Sequence, residues 1–108
     1  MNYVDFTVKF KEGDVIKIDG YWIIIYCKLG EPSVYFPGRH AIIYHAITHT
    51  GDIAAHVPSQ PQAGIGWIED KKDDLVRLAT NDEKQMLFER MKECGCKWDE
   101  TNLRVVEI

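Results

Sequence analysis

The sequence predicts an α+β domain: a bent antiparallel sheet, or an SH3-like partly open small barrel, covered by one C-terminal helix and a closing β-hairpin. β-branched and aromatic runs separated by turn residues dominate the chain up to residue 78. Residues 80–94 carry the start and stop signals of one helix, and residues 96–107 read as strand, turn and strand. Because 108 residues accommodate one core, we expect a single domain over 1–108, with its β core at 3–78.

The first half of the predicted core alternates between strands and tight turns. Residues 3–10 alternate apolar and polar side chains, which is typical of a strand. After a turn at 11–14, residues 15–18 continue in extended form, and Asp19-Gly20 indicates a hairpin turn. The run 21–27 is apolar on both faces, so we expect a central strand that is covered on two sides.

The second half of the predicted core has weaker signals. Residues 34–36 are predicted to form a short strand, and the β-branched content of 40–48 favours a strand over the alternative of a helix. Residues 53–57 indicate a weak strand. The segment 58–66 holds two prolines and two glycines and is predicted to be a loop. Residues 75–78 then lead up to the helix.

The predicted helix has complete capping signals. Thr80 with Glu83 three residues later is a capping box, and Gly95 suits the left-handed conformation that often ends a helix. An apolar stripe follows helical spacing and is expected to face the core. Its members are Leu87, Phe88, Met91 and Cys94.

Charge, apolar runs and cysteine count argue against nucleic-acid binding, a membrane span and secretion. The net charge is −4, and no basic cluster larger than Lys71-Lys72 occurs, so nucleic-acid binding is only a weak third alternative. The longest apolar run has seven residues, too few to span a bilayer, and the N-terminus lacks a signal-peptide pattern. Three cysteines, an odd number, fit reduced thiols. We therefore expect a cytoplasmic protein without a membrane partner.

Two segments resemble a known group of proteins. Residues 10–14 match the pattern F-K-x-G-D, and residues 77–88 match R-x-A-T-x-x-E-K-x-x-L-F, followed by G-x-x-W at 95–98. Together they resemble uncharacterised small proteins of gut bacteria and their phages. The resemblance implies a β-rich, SH3-barrel-like core with an added helix and an origin in a mobile element. It implies no activity, cofactor or catalytic residue.

The four histidines suggest a metal site, which their predicted placement disfavours. His45 and His49 would share one face of a helix, as many zinc sites require. In a strand, the same spacing puts them about 13 Å apart, too far for one ion. We therefore predict no metal site and no cofactor, with His45, His49 and His56 as the candidates if one exists. A small enzyme or ligand binder that uses the segment 40–56 with Asp52 remains the main alternative function.

The cysteines give no complete catalytic or metal motif. Cys94-x-Cys96 lacks the two-residue spacing of zinc and redox motifs, and Cys94 is better interpreted as a small buried side chain of the helix. Cys27 with His45 or His56 as base resembles the arrangement of cell-wall cysteine peptidases. In those proteins the cysteine begins a helix, which lowers its pKa, whereas Cys27 ends a strand. We therefore predict no catalytic residues and no enzymatic activity.

Aromatic side chains are abundant on the predicted strands, and alternation should turn some of them outward. An exposed aromatic groove is a common means of binding peptides, although filling the core is the more ordinary use. The favoured hypothesis is a non-catalytic interaction module from a phage or mobile element that binds a protein partner or a second copy of itself. The candidate binding residues are Tyr21, Trp22, Tyr35, Tyr44 and Trp67.

Overall fold

The computed structural model describes residues 10–32, 34–35, 39–51, 54–68 and 76–108. Seven strands and one helix occur in these ranges. The strands are β1 Val15–Ile18, β2 Trp22–Pro32, β3 Arg39–His49, β4 Gln62–Ile68, β5 Val76–Leu78, β6 Cys96–Asp99 and β7 Arg104–Glu107. The helix α1 spans Asn81–Glu93 and lies between β5 and β6. The α+β class is confirmed, whereas the strand predicted over residues 3–10 lies almost wholly outside the described residues.

Five of the strands form one antiparallel sheet in the order β4-β3-β2-β1-β5. The sheet is not closed into a barrel, because β4 and β5 lie at opposite ends of this order. The SH3-like barrel expected from the resemblance is therefore not what the described residues form. β2 occupies the middle position, as its apolar sequence predicts.

Each face of the sheet carries a cluster of buried side chains. Side chains of β2 alternate between them: Ile23 and Ile25 lie on the face that α1 covers, while Ile24 and Tyr26 lie on the opposite face. The helix-side cluster comprises Val15, Ile23, Ile25, Ala46, Ala55, Leu87, Met91 and Cys96. The opposite cluster comprises Phe10, Ile16, Ile18, Ile24, Tyr26, Ile42, Tyr44, Ile47 and Val76.

The hairpin between β1 and β2 confirms the Asp-Gly prediction. Asp19 and Gly20 have φ angles of 57° and 79°, the pair of positive values that a type I′ turn requires. The Tyr21 N–H donates to the Ile18 carbonyl at 3.3 Å and closes the turn. The twist of this turn matches that of the flanking strands, so β1 is held beside β2.

Helix α1 begins and ends as its sequence predicts. The Glu83 N–H donates to Thr80 Oγ1 at 3.2 Å, and the Thr80 N–H donates to Glu83 Oε1 at 2.8 Å, which completes the capping box. Gly95 follows with a φ of 79°. Arg90 ties the helix to the end of β3, because its guanidinium donates to Thr48 Oγ1 at 2.8 Å and to the His49 carbonyl.

Three local predictions differ from the structure. Residues 34–35 form a bend between β2 and β3, and of the strand predicted at 53–57 only one bridge is present, between His56 and Ile47. Residues 62–66 lie in β4 and are not a loop. Gly64 explains this last error, because it has no partner in the β3 register and a Cβ there would lie 2.7 Å from the Tyr44 ring. The glycine belongs to a bulge over which the Tyr44 ring packs.

The C-terminal hairpin was predicted at the edge of the core sheet. Instead, β6 and β7 form a separate two-stranded sheet that packs on the helix-side cluster through Cys96, Trp98 and Val105. The expectation for the cysteines is also wrong: Cys96 is buried, whereas Cys94 caps the helix and is exposed. Within the described ranges, no helix has the length and apolar character to cross a membrane.

Candidate functional site

Three irregularities interrupt the pairing of β2 with β3, and two of them are neighbouring bulges that concern the site. Ile25 pairs with Ala46, but the next pair joins Tyr26 to Tyr44, so His45 has no partner residue in β2. The pair after that joins Lys28 to Ile43, so Cys27 has no partner residue in β3. One extra residue in each strand lets the two bulges offset one another, so Lys28 and Leu29 pair in sequence with Ile43 and Ile42.

The bulge in β3 changes the direction of His45. Tyr44 belongs to the opposite cluster and Ala46 to the helix-side cluster, although residues two apart in a regular strand share one face. β2 shows the same break, because Tyr26 and Leu29 both pack into the opposite cluster. Bulges of this kind re-aim single side chains and are common beside functional sites. Here they bring Cys27 and His45 close together.

A turn places Glu12 at the same point. Gly13 has a φ of 96° at the third position of the turn 11–14, which only glycine adopts without strain. The Asp14 N–H donates to the Lys11 carbonyl at 3.1 Å, and the Lys11 N–H donates to Asp14 Oδ2 at 3.0 Å. The Gly13 N–H donates to the Tyr26 carbonyl at 2.9 Å. This last bond fixes the turn beside the Cys27 bulge.

The three side chains form a compact group, which we call the Glu12–Cys27–His45 group. His45 Nε2 lies 2.8 Å from Glu12 Oε2, and the Cys27 thiol donates to the same oxygen at 3.6 Å. One ligand atom from each residue lies within 4.8 Å of those of the other two. The His45 side chain is 7% exposed and that of Glu12 is 40% exposed, so solvent approaches from the Glu12 side.

Trp98 of the hairpin closes the buried side of the group. Its ring centroid lies 4.8 Å from that of His45, with the planes tilted by 50°. Glu12 and Trp98 also line a cleft of about 610 Å³ between the turn 11–14, the start of α1 and the C-terminal hairpin. The Trp98 Nε1 atom is buried without a hydrogen-bond acceptor. The hairpin therefore forms one wall of the candidate site.

Nitrogen, sulfur and oxygen donors in this arrangement suit a zinc-class ion. With metal–ligand distances of about 2.0–2.3 Å, a tetrahedral site has S–O and N–O edges of about 3.6 Å and 3.4 Å. The observed separation between Cys27 Sγ and Glu12 Oε2 is 3.6 Å, and that between His45 Nε2 and Glu12 Oε2 is 2.8 Å. The shorter separation is that of a hydrogen bond, so an ion replacing the shared proton needs only a small opening of this pair.

The same group is poorly arranged for thiol catalysis. Burial raises the pKa of Cys27, and the negative charge of Glu12 and its hydrogen bond raise it further. A thiol nucleophile needs the opposite shift, because only the thiolate attacks. Bound metal reverses this effect, since a cation deprotonates a coordinating thiol. The chemistry of the group therefore favours metal binding over acyl transfer.

His49 and His56, the other two candidate ligands, lie elsewhere. His49 packs against Tyr21 and Trp22, with ring centroids 4.8 Å and 5.2 Å away. His56 Nε2 lies 3.3 Å from Gln62 Oε1. Neither belongs to the Glu12–Cys27–His45 group. Of the residues 40–56 named for the alternative site, only His45 joins that group, and Asp52 lies outside the described residues.

The predicted aromatic surface is only partly exposed. Tyr21 is 40% exposed and Tyr35 is 84% exposed, whereas Trp22 is half-buried against the opposite cluster. Tyr44 is 4% exposed, and burial raises the pKa of its phenol, so it belongs to the core. The Trp67 backbone in β4 pairs with His40 of β3, and the Trp67 side chain lies outside the described part of the chain.

Sequence reasoning paired Cys27 with His45 but missed Glu12. The pairing rested on a general likeness to cysteine peptidases, whereas the bulges that produce it depend on strand register. Glu12 occupies the second position of the Lys-Glu-Gly-Asp turn at 11–14, which the sequence indicated only as a turn. A search for carboxylates in turns beside Cys-containing strands would have included it.

Comparisons with known proteins do not assign the chain to a family. No protein-family model matches the chain, and no similar curated protein or solved structure was found.

Proposed function

We propose that this protein binds one zinc-class divalent ion through Glu12, Cys27 and His45. The observation that carries the proposal is the convergence of a carboxylate oxygen, a thiol sulfur and an imidazole nitrogen within 4.8 Å of one another. Two strand bulges and a glycine turn are needed to produce this convergence. Such irregularities disturb the ladder and weaken pairing, so a function at this position accounts for them better than packing does.

The charge of the group suits such an ion. A divalent ion with one carboxylate, one thiolate and one neutral imidazole has no net charge, which limits the desolvation cost in a half-buried setting. The thiolate favours zinc, copper or cobalt over magnesium or calcium, which prefer oxygen ligands alone. We therefore expect zinc to bind and magnesium not to compete.

Zinc titration of the metal-free protein tests this proposal. The competing reagent is a chromophoric chelator, and the variants are Glu12→Gln, Cys27→Ser and His45→Gln. Each removes one ligand, and we expect zinc affinity to fall by about tenfold or more, as loss of supporting groups does in known sites. Glu12→Gln is the safest variant for folding, because Glu12 is the most exposed of the three that carry the site.

Two matched controls separate the site from general metal affinity. Cys94→Ser removes an exposed thiol, and His56→Gln removes an exposed imidazole, and neither residue belongs to the group. Both should bind zinc as the wild type does. The proposal is wrong if the wild type shows no stoichiometric zinc binding, or if His45→Gln and His56→Gln bind zinc equally well.

A second candidate is the non-catalytic interaction module of a phage or mobile element, acting in the cytoplasm. It is favoured by the ring cluster of Tyr21, Trp22 and His49 where β2 begins and β3 ends, in which Tyr21 keeps 40% of its surface exposed. Aromatic side chains of this kind are enriched at protein interfaces. The partner would be another protein or a second copy of this chain.

Sedimentation over a range of concentrations tests self-association, and capture with immobilised protein tests for a partner. Tyr21→Ser should weaken either kind of binding, while Glu107→Gln, an exposed substitution in β7, should not. A monomer at all concentrations that captures the same proteins with and without Tyr21 would remove this candidate.

A further inference from the structure

The Glu12–Cys27–His45 group supplies three ligand atoms, whereas a tetrahedral ion takes four. Among the residues that the structure describes, no further His, Cys, Asp or Glu belongs to the group. Zinc sites with a structural role are closed by four protein ligands, and sites with three keep the fourth position for water or a bound molecule. The number of ligands among the described residues is therefore that of the open class.

The exposure of the ligands shows from which side such a molecule would come. His45 is 7% exposed and is covered by Trp98, so the buried side offers no path. Glu12 is 40% exposed and lies on the wall of the cleft described above. A cleft of about 610 Å³ falls in the size range of small-molecule sites. Of the three ligands, Glu12 alone lines this cleft, so its carboxylate is the point at which the cleft meets the group.

The lining of the cleft indicates the chemistry of the ligand. The basic residues Lys11 and Lys84 line it, and Trp98 and Leu103 provide an apolar wall. Asp14 and Glu100 also line the cleft. The Asp14 carboxylate already accepts a hydrogen bond from the Lys11 backbone N–H. The three ligands balance the charge of the ion, but its open position would still act as a Lewis acid that takes an anionic donor atom, and Lys11 and Lys84 could balance the charge of that anion.

We propose that the fourth coordination position of the ion opens on this cleft and exchanges its water for a small anionic ligand. This inference rests on the metal site proposed above. Binding forms one bond between the ion and the donor atom of the anion and releases the water, with no change in oxidation state. The cleft then holds the remainder of the ligand against Trp98 and Leu103.

Cobalt-substituted protein provides the test, because Co²⁺ occupies zinc sites and absorbs light. A near-ultraviolet thiolate-to-cobalt band reports the site itself, and the visible bands report the geometry around the ion. Addition of sodium azide, and separately of sodium acetate, should shift the visible bands in a saturable way while the thiolate band remains. Lys84→Gln should raise the azide dissociation constant by about twofold to fivefold, the range of an exposed charge contact. Lys97→Gln, on an exposed part of β6, should leave the azide dissociation constant unchanged.

The outcomes separate this inference from the proposed function. A thiolate band with visible bands that do not respond to either anion means a closed site: the inference is then wrong while metal binding stands. A protein without any thiolate-to-cobalt band removes both proposals. An azide shift that Lys84→Gln leaves unchanged would contradict the role given to the cleft.

Discussion

His45 Nε2 lies 2.8 Å from Glu12 Oε2, although 33 positions separate the two residues in the chain. The contact joins the central region of β3 to a turn that precedes β1. It exists because His45 is the extra residue of a bulge and because a glycine turn directs Glu12 to it. The contact is thus a product of two backbone irregularities that a regular sheet would lack.

The three thiols should differ in reactivity in the metal-free protein. Cys94 is exposed, whereas burial raises the pKa values of both Cys27 and Cys96. We expect alkylation by iodoacetamide at neutral pH to modify Cys94 first, with Cys27 slower and Cys96 slowest. Mass spectrometry of the labelled peptides measures the three rates.

Glu12→Gln should speed the alkylation of Cys27, because burial is the main cause of the raised pKa of this thiol and the negative charge of Glu12, which the substitution removes, adds to it. The rate at Cys94 serves as the internal control. Faster alkylation of Cys27 than of Cys94 in the wild type, or no effect of Glu12→Gln, would contradict this account of the group.

Gly13→Ala should destabilise both the fold and the site. The residue has a φ of 96°, and an added Cβ would lie 2.9 Å from Leu103 Cδ2. We expect a loss of about 1–2 kcal/mol in the free energy of unfolding from backbone strain, with a small addition because the tip of the 39% exposed Leu103 side chain must shift. Because Glu12 lies in the same turn, zinc affinity should fall as well. Urea denaturation and zinc titration provide the two measurements.

Gly20→Ala is the matched control for this effect. Gly20 has a similar φ of 79°, but nothing lies within 4 Å of an added Cβ. It should cost about 1–2 kcal/mol from strain alone and leave zinc affinity unchanged. In a Leu103→Ala background, the extra cost of Gly13→Ala should disappear. Equal costs for the two glycines in the wild-type background would refute the steric part of the argument.

Leu87→Ala should destabilise the helix-side cluster. Leu87 is fully buried between α1 and the sheet, and its truncation leaves a cavity, which costs about 2–5 kcal/mol. Gln85→Ala, on the exposed side of the same helix, should change stability by less than about 0.5 kcal/mol. Thermal and urea unfolding of both variants test whether α1 covers this face, and similar stabilities would argue against it.

Acid should weaken the attachment of α1 through Glu83. Hydrogen bonds from Arg77 hold the pKa of this carboxyl well below its usual range, and those from Lys17 and the Thr80 backbone add to the effect, while burial opposes it. A group whose pKa is lower in the folded state stabilises the fold above its unfolded pKa of about 4.3, and this contribution is lost as the pH falls further. Glu83→Gln should therefore cost about 1–3 kcal/mol at neutral pH and progressively less towards pH 3.

Urea denaturation at several pH values measures the difference in the free energy of unfolding between wild type and Glu83→Gln. Glu93→Gln, an exposed substitution at the end of the same helix, provides the reference for general effects of charge removal. A Glu83→Gln cost that does not change between pH 7 and pH 3 would contradict the ion-pair account.

Local signals in the sequence were sufficient for much of the fold. The Asp19-Gly20 turn, the central position of β2 and the caps of α1 at Thr80 and Gly95 all follow from chemistry within a few residues. The extent of β4 did not, because Gly64 has the composition of a loop and its bulge is specified by the Tyr44 ring of a neighbouring strand.

The candidate site could be predicted less well, because it also depends on contacts with a neighbouring strand. Bulges at Cys27 and His45 are properties of the pairing between two strands, and periodicity within either strand does not reveal them. A regular register would have placed neither side chain beside Glu12. The burial predicted for Cys94 was also wrong, because Cys94 lies at the exposed helix cap, while the buried thiol is that of Cys96 at the start of β6.

The central claim is that Glu12, Cys27 and His45 hold one metal ion. Crystals grown with one equivalent of zinc, with diffraction data collected on both sides of the zinc absorption edge, test it most directly. The account predicts a single strong anomalous peak per chain, bonded to Cys27 Sγ, His45 Nε2 and a Glu12 carboxylate oxygen at about 2.0–2.3 Å. An ordered group without such a peak, or a peak bound only to His49, His56 or Cys94, would contradict it.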